Sequence, residues 1–187
     1  KGRYIGLNPD VSDRPEGMQA YFGGLAQSLP AKAAGWTGVP AERIAAYNAD
    51  AIPDNLKGSV DRVLMIRSLH NLWRNGLLYR ELMTVRDLLK DDGFLGIVQH
   101  RAKGDAPATY TNGEKGYMRE DDVIAMVEAH GFLFSGKSEI NANPKDTADH
   151  PGGVWNLPPN LRGIAEADKP RFAAIGESDR MTLLFRK

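Results

Sequence analysis

The chain of 187 residues is 42% hydrophobic and 26% charged, the proportions of a single folded domain, 1–187, with a real core. Its 24 Lys and Arg balance 24 Asp and Glu, which argues against a dedicated nucleic-acid binder, and no run of like charges suggests a polybasic membrane patch. The absence of cysteine excludes disulfides, Cys-ligated zinc, iron–sulfur clusters and thiol nucleophiles, and leaves the compartment, cytoplasmic or exported, open. No apolar run approaches the roughly 20 residues of a membrane span.

Arg3 to Leu7 reads as a strand that stops at Asn8-Pro9-Asp10. Met18, Tyr21, Phe22 and Leu25 recur at helical spacing, predicting a helix from about Pro15 to Leu29, closed by Pro30. Arg43 to Asn48 is a short strand, and Val60 to Ile66 a stronger one. Leu78, Leu82, Val85 and Leu89 mark a helix over 77–90, Asp91-Asp92-Gly93 a turn, and Phe94 to Val98 a buried strand. Residues 100–117 read as loop. A helix over 120–130 has acids at its start and Gly131 at its stop. A strand over 132–141 follows, then an irregular Pro- and Gly-rich stretch, a helix over 161–175 broken at Pro170, and a final strand over 181–186. Strands alternating with helices predict an α/β fold with a mostly parallel sheet.

Several of these segments together resemble class I methyltransferases that use S-adenosylmethionine. Lys1-Gly2-Arg3-Tyr4-Ile5-Gly6-Leu7-Asn8 is similar to their second strand, and Ser59–Ile66 to their fourth. Tyr79–Leu82 through Leu88–Val98 is similar to their helix, turn and fifth strand, Glu128–Phe132 to the approach to the sixth, and Ser178–Lys187 to the last. Val154-Trp155-Asn156-Leu157-Pro158-Pro159 and the ending resemble a branch of predicted bacterial methyltransferases of unknown substrate, many of them exported. The resemblance implies a Rossmann-like sheet with helices on both faces and an antiparallel last strand. It also implies S-adenosylmethionine as cofactor and a small-molecule acceptor. The family's first, Gly-rich motif is missing, so the fold's first strand is expected to be missing too; Gly23-Gly24 lies inside a helical pattern and does not replace it. That strand lies mid-sheet between Arg3–Leu7 and Val60–Ile66. Three arrangements are therefore expected: residues upstream of Lys1, a segment of another chain in the gap, or direct pairing of the two strands.

In open α/β sheets ligands bind beyond the carboxyl ends of strands, and three loops qualify. Asn8 stands where the resembled family carries a ribose-binding acid, with Asp10 near it; both residue types are also ordinary in turns. Asp50, followed by Ala51, stands where an acid faces the adenine amino group. Arg67-Ser68-Leu69-His70 follows the strongest strand, where cofactor and substrate would meet. His70 is a candidate base, or a ring packed under Trp73, and His100 is a second pocket candidate at the end of the fifth strand. His130 reads as structural. Asp146, Asp149 and His150 form a loop cluster without a second His, so no metal is expected. Tyr110, Tyr117 and Trp155 could line a lid or lie in core or surface. No nucleophile elbow and no phosphate loop is present. Methyl transfer needs alignment of the acceptor more than covalent chemistry from the protein. A nicotinamide-dependent oxidoreductase and a non-catalytic ligand-binding or interaction domain are the competing readings. No nucleic-acid or membrane partner is expected, and a homo-oligomer stays open.

Overall fold

The strand expected at Arg3–Leu7 forms as β1 (Tyr4–Asn8) in the computed structural model, which describes residues 2–187. Those residues fall into two units that divide between Lys57 and Gly58, at a point where the sequence shows no linker. In the first unit β1 is followed by α1 (Glu16–Thr37) and β2 (Ile44–Asn48), and the two strands pair in parallel from Tyr4↔Ile44 to Asn8↔Asn48. The expected stop at Pro30 is not observed: α1 runs through it to Thr37. Proline removes one N–H donor from the ladder. Packing on both sides of it holds the helix together, since Leu29 lies over Gly6 and Ala33 is buried.

The second unit contains β3 (Val60–Ile66), α2 (Leu69–Arg74), α3 (Leu78–Leu88), β4 (Leu89–His100), α4 (Ala108–Thr111), α5 (Glu120–Glu128), β5 (Leu133–Ser138), α6 (Lys169–Ile175) and β6 (Arg180–Arg186). The sheet order is β3-β4-β6-β5. β3 and β4 are parallel, and β6 runs antiparallel to both β4 and β5, so the last strand has the expected reversed direction. The turn expected at Asp91–Gly93 is absorbed into β4. The partner register jumps there from Val60↔Leu89 to Arg62↔Phe94, so extra residues bulge out of a ladder that resumes beyond them. Pro170 does not break the last helix but sits in its first turn, where its missing N–H has no intrahelical partner to lose.

Alternation along the strands buries Met65, Leu95, Ile97, Met181, Leu183 and Phe185 on one face of the four-stranded sheet. Leu82 and Val85 of α3 and Val123 and Val127 of α5 supply the opposing apolar surface. Of the three arrangements expected for the gap, direct pairing is not formed among the described residues: β1 ladders only with β2, and β3 only with β4. No helix is long and apolar enough to cross a membrane, again among the described residues.

Candidate active site

The parallel register of β3 and β4 decides what meets at their carboxyl ends. Ile66 lies opposite Val98, so the chain leaves β3 level with Gln99 and His100 of β4. Arg67 then takes a left-handed conformation, φ 55°, while its N–H donates to the Val98 carbonyl at 2.7 Å. This reversal starts α2 at once from Ser68, whose carbonyl accepts from the N–H groups of Asn71 and Leu72. One residue into that helix is His70. The His70 and His100 rings therefore lie 5.5 Å apart between centroids, both buried.

Each ring is tethered through Nδ1. Gln99, fully buried, donates its amide N–H to the Gly116 carbonyl at 2.7 Å, which fixes its Oε1 toward His70 at 3.3 Å. An amide oxygen only accepts, so His70 carries its proton on Nδ1 and its Nε2 holds a lone pair. His100 Nδ1 lies 2.6 Å from Ser178 Oγ. No protein hydrogen bond reaches either Nε2 among the described residues. Both rings are held neutral. Burial lowers the His70 pKa, with Arg74 adding to it against the opposing bond to Gln99. Burial, then the His70 ring and the Arg180 and Arg67 guanidiniums, push His100 down to about 3.

A layer of aromatic rings surrounds the pair. His70 meets the Trp155 indole edge-on at 6.0 Å, not Trp73, which is exposed. His100 meets Tyr117 at 6.4 Å, and Tyr117 stacks on Tyr110 at 5.7 Å. Of the three aromatics considered for a lid, Tyr117 is thus core, and Tyr110 and Trp155 are partly buried. The Tyr117 hydroxyl donates to Asp146 Oδ2 at 2.8 Å, and burial together with that carboxylate raises its pKa. Fully buried Asp146 also accepts from the Asp179 N–H on Oδ2, and from the Ala148 N–H and His150 Nε2–H on Oδ1. With both oxygens doubly occupied, Asp146 is a structural tie between residues 146–150, Tyr117 and the start of β6. Next to it Arg101 grips Asp179 with two hydrogen bonds and also reaches Glu120 and Glu139. His130 bonds the Met126 carbonyl at the end of α5 through Nδ1, in keeping with its structural reading.

The first unit presents its own carboxyl edge. Asn8 and Asn48 end the two paired strands, and a single turn over Ala49–Ala51 carries Asp50 directly after β2. The Asn8 amide N–H groups are taken by the Phe22 carbonyl and by Asn48 Oδ1, so a ligand would meet only its acceptor oxygen. Asp10 Oδ1 accepts from the Ser12 N–H and hydroxyl, the turn role weighed for it against ribose contact. The Asp50 carboxylate is exposed and makes no hydrogen bond or ion pair among the described residues, and Ala51 beside it is exposed. An acceptor oxygen on Asn8 and a carboxylate on Asp50 fit the hydroxyl and amino donors of a nucleoside.

Sequence reasoning marked His70, His100, Arg67 and Ser68, and the second unit brings them together. Gln99 and Ser178 were passed over. Gln99 interrupts an apolar strand one residue before His100, a usable signal. Ser178 lies 78 residues from the ring it meets, beyond any local pattern. No group of three or more metal-ligating side chains occurs among the described residues.

No family model and no curated protein matches the chain. Solved structures do. It is similar to the 4+2 cyclase SpnF (15% identity, TM-score 0.58, covering 100% of this chain and 67% of that one). It is similar to the Burkholderia thailandensis 1,6-didemethyltoxoflavin-N1-methyltransferase with bound 1,6-didemethyltoxoflavin and S-adenosylhomocysteine (14%, 0.54, 100% and 72%). The pyocyanin biosynthetic protein PhzM is a third (13%, 0.51), of which the chain spans 43%. The α/β sheet described above, with its reversed last strand, is the Rossmann-like fold that these proteins share.

Proposed function

We propose that the protein is an S-adenosylmethionine-dependent methyltransferase acting on a small-molecule acceptor. The observation that carries this reading is the pair of neutral imidazoles at the carboxyl ends of β3 and β4, one of them with a lone pair on Nε2. The fold alone does not decide it, because a cyclase shares that fold.

When bound, the cofactor supplies a methyl group already activated by its sulfonium. The protein must then orient the acceptor and remove its proton. His70 Nε2 would take the proton from the acceptor's O–H or N–H, leaving that atom's electron pair available to the methyl group the cofactor would supply. Gln99 keeps the His70 tautomer correct, and His100, anchored by Ser178, lends its free Nε2 to the acceptor. Arg67 and Ser68 border this edge. Within the first unit, taken by itself, Asn8 and Asp50 are the residues assigned to a nucleoside, with Ala51 beside Asp50, and Asp10 is engaged in its own turn.

Calorimetric titration with S-adenosylhomocysteine tests the reading. Saturable heat at a stoichiometry near one is expected, and no heat at millimolar ligand removes the proposal.

A further inference from the structure

Beyond the His pair the second unit holds a cleft of about 720 Å3, within the usual range for small-ligand sites. Its lining includes Trp155, Arg162, Ile164, Asp168, Arg171 and Phe172. Three of these are flat or branched apolar surfaces, and Phe172 is buried. The charge is unequal: two guanidiniums face one carboxylate. Arg171 lies 3.7 Å from Asp168 and stacks 4.8 Å over the Phe172 ring, so it already has a carboxylate and an aromatic face as partners. Arg162 differs. Its backbone is pinned, the N–H donating to the Trp155 carbonyl at 2.7 Å and the carbonyl accepting from the Asn156 amide at 2.7 Å. Its guanidinium has no hydrogen-bond or ion-pair partner among the described residues. The Trp155 indole N–H is likewise unpaired among them. A fixed backbone, an unpaired fork of five donors and the partly exposed Trp155 indole match a flat ring that carries a carboxylate. The cleft is also tied to the proposed chemistry, because the indole that lines it is the one meeting His70 edge-on at 6.0 Å.

We infer that this cleft binds a planar aromatic acid, its ring against Trp155 and its carboxylate on Arg162, and, resting on the methyltransferase reading, that this acid is the methyl acceptor.

The chain has three tryptophans, so the variant Trp36→Phe/Trp73→Phe leaves Trp155 as the only indole to report on the cleft. Titration with 4-nitrobenzoate, a quencher of indole fluorescence, is compared with its uncharged analogue 4-nitrobenzyl alcohol. The acid is expected to quench saturably and to bind at least tenfold tighter than the alcohol. Arg162→Gln, at an exposed position, should leave the melting temperature unchanged and abolish that preference. Equal binding of the two probes, no quenching by either, or a preference that survives Arg162→Gln overturns the inference. The same protein is titrated with S-adenosylhomocysteine. Heat without acid preference sinks the acceptor class and leaves methyl transfer standing. Acid preference without heat supports the cleft and sinks the methyltransferase reading.

Discussion

His100 shows how far burial can move one side chain from its usual behaviour. In the folded protein it resists protonation down to about pH 3, because of burial first and then the neighbouring His70 ring and the Arg180 and Arg67 charges. In the unfolded chain it protonates near 6.5. Between those values the unfolded state binds the extra proton, so stability is full above about 6.5 and is lost as the pH falls toward 3. The urea midpoint should therefore drop from pH 7.5 to pH 5.0, and His100→Gln should flatten that slope. An unchanged slope in the variant would show that other groups set it. The two histidines were legible in the sequence because each follows directly on a strong apolar strand, and chemistry in this kind of sheet gathers at strand ends. What surrounds them was not legible. Ser178, Tyr117 and Trp155 come from distant segments, and only the folded sheet brings them to the rings. Asp10 shows the opposite limit, a residue whose sequence position suits a ligand while its carboxylate turns back onto Ser12.

At the level of elements, the close approach of Gly113 to α2 constrains the site. Gly113, at φ 94°, passes so close to the helix that a Cβ would stand 2.8 Å from the His70 carbonyl oxygen. Gly113→Ala combines a disfavoured backbone conformation with that clash, and is expected to cost about 1–3 kcal/mol. Thermal unfolding would measure the loss, and a melting temperature equal to the parent's would show that the segment can move away freely. The helices and strands themselves were largely readable from apolar periodicity, as at Leu78, Leu82 and Val85. Punctuation was less reliable. Pro30 lies inside α1 and Asp91–Gly93 inside β4, because packing on both sides of a breaker outweighs its local preference.

For the whole molecule, the order β3-β4-β6-β5 places the last strand in sequence between two that precede it. β6 ladders with β4 from Phe94↔Arg186 to His100↔Arg180, and with β5 on its other side. It also supplies the buried Met181, Leu183 and Phe185. Removing residues 180–187 should therefore abolish cooperative melting of the second unit, followed by circular dichroism; a sharp transition retained in the shortened chain would refute this. The same order has a consequence for how the protein is born. A chain leaves the ribosome from its amino end, and β1, α1 and β2 are neighbours in sequence, so the first unit has all its strands outside early. The second unit must wait, with the surfaces of β4 and β5 uncovered, until residue 186 has emerged. During synthesis that interval is when the residues of β4 that end up buried, Leu95 and Ile97 among them, lie open to water and to other chains.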